Sequence, residues 1–320
     1  SPQHGGMFID CTLGGGSYSR AILKFPSTKV LAIDRDKLAN RHAIKISEEF
    51  PNRFKFFQDK FSNLNKLVNS EINPRAVLFD LGLSSYQIVD EDRGFSFKSN
   101  GPLNMEMGIN TYSVFDVVNK INENKLIDII KFLGEEKEAR RVSNEIIKSR
   151  KIKPILKTNE LVSIIKRAKK IRKNHKIDPA TKTFQALRIF VNKELTELIN
   201  GLFSATEILK NGGVLIVVSF HSLEDRIVKS FFKFYSANSS NPSRYMPKKN
   251  NLGKKNLFKL ISKKALRPED NEITENFRSR SAKLRYAIRN DNPFFNSNEI
   301  KKKFAKYLNI EGASLWMIIL

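Results

Sequence analysis

Cysteine and long apolar runs are both scarce in this sequence, and each scarcity excludes a class of protein. The 320 residues include a single cysteine, Cys11, so the chain forms no internal disulfide and holds no zinc ion on a set of cysteines. No stretch approaches the ~20 consecutive apolar residues of a membrane-spanning helix, and no signal peptide is visible. We therefore expect a cytoplasmic protein without a membrane span, and we see no cluster of metal ligands.

Acidic residues are the third scarcity. The chain has 33 Asp and Glu against 57 Lys and Arg, a formal net charge of +24. Solubility does not require so large a charge, which favours a polyanionic partner, either nucleic acid or an anionic membrane surface. The apolar residues, 40% of the total with 24 Phe, can bury a sizeable core, and the length predicts about two domains.

Short apolar runs alternate with helical patterns over much of the chain. This alternation predicts an α/β fold with a mostly parallel sheet. The predicted strands cover residues 7–10, 30–33, 54–57, 76–79, 214–220, 257–263 and 284–288.

A glycine-rich turn follows the first predicted strand and leads into a helix. It contains Gly14, Gly16, Ser17 and Tyr18. Glycines let a ligand approach the backbone closely, and the start of a helix offers free N–H groups. Asp34 ends the second strand about 20 residues later, where an acid commonly binds ribose hydroxyls. The pair fits a nicotinamide dinucleotide and S-adenosylmethionine equally well.

Acids also stand at the ends of the next two strands. Asp59 lies just past the third strand and Asp80 ends the fourth. Ligands of open α/β sheets bind beyond the carboxyl ends of strands, so three such acids after a glycine loop predict a cofactor site. Phe61 is a candidate to face an adenine ring. The alternatives are that Asp80 only ends its strand and that Phe61 only packs in the core.

Strand patterns vanish between residues 111 and 177. Helical patterns cover 114–124, 125–133, 136–149 and 158–171, with Thr158 as an N-cap. We predict an inserted helical domain over residues 109–180, within a domain formed by 1–108 and 181–320. Its basic end favours contacts to phosphates, although a solvated charged face is the alternative. The candidates there are Lys169, Lys170, Arg172 and Lys173.

The remaining sequence predicts a long helix over 183–209, a strand, and a polar loop over 236–255. His221 follows that strand and is a candidate base or RNA contact, or else a structural histidine. Further candidates for phosphate contacts, which could also be ordinary surface residues, are Arg188, Arg280, Lys283 and Arg285.

Seven segments together resemble the RsmH (also MraW) family of ribosomal RNA methyltransferases, in the same order and over nearly the whole chain. They are Asp-Cys-Thr-Leu-Gly-Gly-Gly at Asp10, Ala-Ile-Asp-Arg-Asp at Ala32, Asp-Leu-Gly-Leu-Ser-Ser at Asp80, Arg-Gly-Phe-Ser-Phe at Arg93, Pro-Ala-Thr-Lys-Thr-Phe-Gln-Ala-Leu-Arg-Ile at Pro179, Ser-Phe-His-Ser-Leu-Glu-Asp-Arg at Ser219 and Ser-Arg-Ser-Ala-Lys-Leu-Arg at Ser279.

The resemblance implies a Rossmann-like class I methyltransferase domain with an inserted all-helical domain. It also implies transfer of a methyl group from S-adenosylmethionine to cytosine N4 in the decoding region of small-subunit (16S) ribosomal RNA. The inserted helices and the basic loop favour a large substrate, so we expect the ribosomal RNA within the assembled small subunit, with naked RNA as the alternative. A homodimer stays open. The implied cofactor contacts are Gly16, Ser17, Tyr18, Asp34, Phe61, Asp80 and Gln87.

For the chemistry, we expect Asp80 to accept the amine proton, with Ser84 and Ser85 as helpers. The sequence departs from the family at Ser17-Tyr18, where the family has Gly-His, and at Asp178, where it often has His. The segment that the family carries ahead of the first strand is absent, so we expect a fragment that starts just before that strand. A non-catalytic RNA-binding or ribosome-assembly factor and a nicotinamide-dependent oxidoreductase are the alternatives.

Overall fold

The computed structural model describes residues 2–69, 71–169, 178–236 and 256–312. Within them the strands form one sheet of order β3-β2-β1-β4-β5-β7-β6. The strands are β1 Gly6–Asp10, β2 Thr28–Asp34, β3 Phe54–Gln58, β4 Pro74–Asp80, β5 Val214–Ser219, β6 Phe258–Leu260 and β7 Lys283–Arg289. Every predicted strand is present, although β6 is much shorter than the predicted 257–263.

Helices surround the strands along the chain. They are α1 Ser17–Leu23, α2 Ala39–Glu49, α3 Leu64–Leu67, α4 Ser85–Val89, α5 Val114–Lys120, α6 Glu123–Asp128, α7 Ala139–Ile152, α8 Thr158–Ala168, α9 Thr181–Asn192, α10 Glu194–Ile208, α11 Ser222–Tyr235, α12 Asp270–Glu275, α13 Asn298–Lys303 and α14 Ala305–Gly312. A π-helical turn, Ile129–Leu133, follows α6, and a 3₁₀ turn, Phe277–Ser281, follows α12. No described helix is both long and apolar enough to cross a membrane.

The chain divides into two compact units, and the division falls inside α10. The first unit contains the described residues of 1–82 and 197–303, and the second those of 83–196 and 304–320. The second unit is wider than the predicted insert of 109–180. One reason is that the loop before residue 109 bonds to the helical region: Leu103 N–H donates to Leu156 O at 3.2 Å, and Thr158 N–H donates to Gly101 O at 2.9 Å.

The order of strands in the first unit creates a switch point. Strands β1 to β5 are parallel, while β7 runs antiparallel to both β5 and β6. From β1 the chain moves outward to β2 and β3, then returns to place β4 on the other side of β1. The carboxyl ends of β1 and β4 therefore border the crevice in which doubly wound sheets bind ligands.

The predicted helix over 183–209 is wrong as a single element. It breaks at Lys193, which adopts a left-handed φ of 52° between α9 and α10. The preceding Asn192 is buried, and its side chain holds a loop: the amide donates to Met105 O at 2.8 Å and accepts from Met107 N–H at 2.8 Å. Local propensity did not reveal these tertiary contacts.

Other boundaries also shift. Thr158 is not an N-cap but the first residue of α8, which Lys157 precedes at the N-cap position. The Thr158 hydroxyl is not available to cap the helix, because it donates to Ser99 O at 2.5 Å. The predicted break at residue 124 lies at Asn122, which caps α6 by accepting from Lys125 N–H at 2.9 Å. The end of the predicted helix at 170–171 lies outside the described residues. So does the predicted loop over 236–255, apart from Ser236.

Candidate active site

Four acids stand at the carboxyl ends of four neighbouring parallel strands in the first unit. Asp34, Asp10 and Asp80 are the last residues of β2, β1 and β4, and Asp59 follows the last residue of β3. Sheet order makes the four strands adjacent. The three predicted acids therefore share one edge of the sheet with a fourth, Asp10, which the sequence analysis did not choose as a site residue.

Asp34 ties the glycine loop to the second strand. Its Oδ2 accepts from Gly14 N–H at 2.8 Å, and its Oδ1 accepts from Asp36 N–H at 2.8 Å. Burial, the largest cause, raises the pKa of Asp34 to about 6, although both hydrogen bonds oppose the shift. Each oxygen keeps a lone pair for another donor, so binding of ribose hydroxyls stays a prediction that this geometry allows.

The glycine loop fits a closely approaching ligand. Gly16 has a φ of 82°, and a Cβ there would lie 2.4 Å from Ile46 Cδ1, so neither the backbone nor the core tolerates a side chain. A Cβ on Gly15 would meet no heavy atom within 4 Å. No side chain caps the following helix α1. The loop thus presents bare backbone to open space beside the strand ends, as a cofactor cradle requires.

Asp10 is the acid that the sequence analysis missed. It is 1% exposed; its Oδ2 accepts from the Ser19 hydroxyl at 2.7 Å and its Oδ1 from Thr12 N–H at 3.2 Å. Burial raises its pKa. The hydroxyl of Thr12 accepts from Asp80 N–H at 2.8 Å, which joins the loop after β1 to the end of β4. The rule that selected Asp34 and Asp80, an acid at a strand end, would have found Asp10.

Asp80 is the carboxylate with unused hydrogen-bonding capacity. Its Oδ1 is buried and has no hydrogen-bond partner among the described residues. Burial raises the pKa of Asp80 to about 7, and the negative charges of Asp10 and Glu224 add to the effect. Buried polar atoms without partners are rare in folded proteins and call for an explanation. A ligand that donates a hydrogen bond to this oxygen would explain why it has no partner among the described residues.

Ser17 and Tyr18 begin helix α1 beside these acids. Ser17 is exposed, and Tyr18 is 42% exposed. Burial of part of the ring, together with the charges of Asp80 and Asp10, raises the pKa of Tyr18 to about 12. The phenol therefore stays protonated near neutral pH and can donate a hydrogen bond. Cofactor contacts by both side chains remain predictions.

Asp59 and Phe61 have clear local roles. The Oδ1 of Asp59 accepts from Lys60 N–H at 2.6 Å and from the Asn63 amide at 2.9 Å. Phe61 packs edge to face on Phe79, with 5.2 Å between ring centroids. A Cβ at Gly201 would lie 2.5 Å from the Phe61 ring, so that glycine makes room for it. Core packing thus fixes Phe61, and its contact with adenine stays a prediction.

Ser84, Ser85 and Gln87 belong to the second unit and form the start of α4. Ser84 Oγ accepts from Gln87 N–H at 3.4 Å, while Gln87 Oε1 accepts from Ser84 N–H at 3.0 Å. This reciprocal capping box gives Ser84 and the buried Gln87 a structural function. Ser85 is the first helical residue and is exposed. Their predicted catalytic and cofactor roles are untested.

Two predicted RNA contacts in the second unit are engaged in internal ion pairs. The Lys169 ammonium is partly buried and donates to the Glu136 carboxylate and to Pro179 O. The guanidinium of Arg188 makes two bonds of 2.9 Å to the carboxylate of Glu194. Both cations therefore already have acidic partners, and their contacts with RNA remain untested predictions. The candidates Lys170, Arg172 and Lys173 lie outside the described residues.

Most of the predicted RNA contacts of the first unit already have a partner within the fold. His221 caps α11, since its Nδ1 accepts from Glu224 N–H at 3.4 Å, which favours the structural alternative for this residue.

Lys283 and Arg285 share the carboxylate of Asp225, at 3.1 and 2.7 Å. Arg280 is exposed, and its guanidinium carbon lies 4.2 Å from the centroid of the Phe277 ring. Among the predicted cations that the structure describes, Arg280 is thus the one without an acidic partner.

The sequence model of the MraW methylase family matches residues 1–290. The chain belongs to this family. The seven described strands and their helices confirm the predicted Rossmann-like α/β fold class. Membership in this methylase family confirms the predicted cofactor, S-adenosylmethionine. It also decides between the two cofactors that the glycine loop left open, against the nicotinamide dinucleotide.

Several relatives of this MraW family chain are similar over nearly their whole length. A ribosomal RNA small subunit methyltransferase H of Ehrlichia ruminantium (strain Gardel) is 45% identical over 293 residues, 90% of this chain and 95% of that protein. Its counterpart in Paramagnetospirillum magneticum is 42% identical over 295 residues, 92% of each chain. The crystal structure of an rRNA methylase from Streptococcus thermophilus is similar over 90% of this chain and 88% of that chain, at 10% identity and with a TM-score of 0.39.

Proposed function

We propose that this chain transfers a methyl group from S-adenosylmethionine to N4 of a cytosine in the decoding region of small-subunit (16S) ribosomal RNA, with the assembled small subunit as substrate. The names of its relatives support the ribosomal RNA of the small subunit. The net charge of +24 suits a polyanionic substrate. The observation that carries the chemistry is the buried Oδ1 of Asp80, which has no partner among the described residues.

The residues of the first unit fit the cofactor. The glycine loop at Gly14–Gly16 would let the cofactor approach the backbone closely. The carboxylate of Asp34 would accept hydrogen bonds from the ribose hydroxyls of the cofactor. When bound, S-adenosylmethionine supplies a methyl carbon made electrophilic by the positive sulfonium. Asp10 and Thr12 keep the ends of β1 and β4 in a fixed arrangement around this position.

The substrate amine is a weak nucleophile because its lone pair is delocalised into the cytosine ring. Aiming the nitrogen in line with the methyl carbon therefore provides most of the rate. A carboxylate that accepts one amine hydrogen both orients the nitrogen and localises its lone pair. Asp80 can do this through Oδ1, which no described donor occupies.

Formation of the new C–N bond leaves one proton too many on the nitrogen. Asp80 can accept it, since a pKa of about 7 makes this carboxylate a better base than an ordinary aspartate while leaving it largely ionised just above neutral pH. Burial, the main cause of that pKa, also excludes water from the acceptor oxygen.

The proposal is tested by incubating the protein with labelled S-adenosylmethionine and small ribosomal subunits that lack the modification, followed by nucleoside mass analysis. We expect label in N4-methylcytidine, at one position in the decoding region. Naked 16S RNA is the matched substrate control and should accept less label. Label in another nucleoside would overturn the proposed target, and cofactor binding without any transfer would favour the non-catalytic RNA-binding alternative.

A further inference from the structure

A basic cleft of about 260 Å³ lies in the first unit beside the start of α11. Its lining includes Arg267, Arg280 and Lys283 together with His221. Leu266 and Leu284 hold Arg267 in place, because each N–H donates to the other's carbonyl at 2.9 Å. The cleft therefore brings together cations from two separate parts of the sequence, Arg267 and the segment that carries Arg280 and Lys283. Arg267 was not among the predicted RNA contacts.

Two of these cations, Arg267 and Arg280, have no acidic partner among the described residues, whereas the third does. Lys283 is paired with Asp225 at 3.1 Å. Arg267, in contrast, is exposed and has no hydrogen bond or ion pair with a described residue. Arg280 donates only to a backbone oxygen, Phe277 O at 3.0 Å, among its described contacts. Two guanidinium groups without an acidic partner form a favourable site for a phosphodiester, which they can bind through paired N–H groups.

An exposed aromatic ring stands next to the cleft. Phe277 opens the 3₁₀ turn that carries Arg280 and is 67% exposed. Its ring has the Arg280 guanidinium at 4.2 Å from the centroid, which holds the ring in place. An exposed, ordered ring beside cations is the arrangement that stacks an unpaired base while its backbone is bound electrostatically. Asp270 and Glu272 of the preceding α12 repel phosphates, so the backbone is held at the cleft and not on α12.

We propose that this cleft binds a single-stranded segment of the RNA substrate, with one phosphate between Arg267 and Arg280 and one unpaired base on Phe277. The inference rests on the proposed function for the class of ligand. It adds a strand-holding site that does not take part in the chemistry at Asp80. A single-stranded ligand fits because its bases are free to stack on the exposed ring of Phe277. In a duplex the bases are already stacked on one another within the helix.

The test is fluorescence anisotropy of a short fluorescein-labelled single-stranded RNA titrated with the full chain over a range of salt concentrations. Arg267→Ala should reduce the slope of log affinity against log salt by about 0.7, the value for one lost phosphate contact on a single strand. Arg41→Ala is the matched control, an exposed arginine on α2 at the opposite edge of the sheet. It should change the slope less.

The aromatic part is tested separately. Phe277→Ala should weaken RNA binding by at least about fivefold without changing the salt slope, because a lost stacking contact costs about 1–3 kcal/mol. Phe277→Trp should restore the affinity, since tryptophan stacks at least as well. Binding of S-adenosylmethionine, measured by calorimetry, should be the same in every variant.

The outcomes separate this inference from the proposed function. Transfer by the wild type to cytosine N4, with RNA affinity and salt slope unchanged in Arg267→Ala and Phe277→Ala, would overturn the cleft alone. A wild type that methylates no ribosomal RNA, with variants that lose RNA binding as described, would overturn the proposed function and support the cleft. Binding to vesicles containing phosphatidylserine in place of RNA would overturn the choice of ligand.

Discussion

Asp80 in the first unit and Glu311 in the second are both carboxylates whose pKa is raised by burial, to about 7 and about 8 respectively. Their hydrogen bonds differ. The Oε1 of Glu311 accepts from Leu195 N–H at 3.1 Å, and its Oε2 accepts from the N–H and the hydroxyl of Thr196 at 2.7 and 2.5 Å. The Oδ1 of Asp80 accepts from no described donor.

The difference shows that a shifted pKa does not by itself identify a functional group. Glu311 caps the first turn of α10, so its burial is explained by the fold. Asp80 has a similar environment without such a function. Structural ion pairs and caps also perturb pKa values, and the unused acceptor is what separates the two residues.

The same contrast holds for other polar groups of the two units. In the second unit the cations Lys169 and Arg188 are each paired with a carboxylate, and Asn192 bonds to a neighbouring loop. In the first unit Arg267 and Arg280 lack acidic partners among the described residues. The first unit also contains paired cations, such as Lys283 with its acidic partner. We infer that the presence or absence of a partner, and not the unit, separates cations that stabilise the fold from those kept for ligands.

The largest expected effect is on catalysis. Asp80→Asn keeps the size of the side chain but removes the proton acceptor, so methyl transfer to small subunits should fall by at least about 100-fold. The melting temperature should not fall, because the lost charge had no hydrogen bond at Oδ1. Glu311→Gln is the matched change in the other unit and should leave transfer per folded molecule unchanged. Full turnover in Asp80→Asn would remove this residue from the chemistry.

The second effect is on stability. Glu311→Ala leaves the N–H groups of Leu195 and Thr196 without their acceptor, and each buried donor left unsatisfied costs about 1–3 kcal/mol. The free energy of unfolding, measured by urea denaturation, should therefore fall by about 2 kcal/mol or more. The control Glu91→Ala removes an exposed carboxylate of the same unit and should change it by less than about 0.5 kcal/mol. Equal effects would contradict the capping role of Glu311.

The smallest effect concerns pH. If Asp80 accepts the proton, transfer requires its ionised form, and a pKa of about 7 predicts a rate that rises about tenfold between pH 6 and pH 8. Stability should change in the opposite direction. Both carboxylates have raised pKa values, so their contribution is present below their usual values of 3.8 and 4.5 and is lost as pH rises through about 7 and 8.

The check combines initial transfer rates with melting temperatures over this range of pH. A transfer rate that stays flat from pH 6 to pH 8 would argue against proton acceptance by Asp80, whatever the melting temperatures do.

Much of the first unit could be predicted from the sequence. Alternating apolar runs located every strand, and the glycine loop with Asp34 and Asp80 indicated the carboxyl edge of the sheet, since these patterns depend on nearby residues. Long-range contacts escaped prediction. Asn192 looked like one more residue of a long helix, but its side chain bonds to Met105 and Met107, 87 and 85 residues away along the chain.

The sequence by itself determined the α/β class, the basic character and the order of motifs that marks the family, because composition, periodicity and short spacings are local properties. Only the tertiary structure decided which of the candidate groups are free. Asp80 and Glu311 are similar carboxylates in the sequence, as Arg267 and Arg188 are similar guanidinium groups. What separates them is whether folding brings a hydrogen-bonding partner to each. The partner of Arg188 is six residues along the chain, whereas the donors to Glu311 are 116 and 115 residues away.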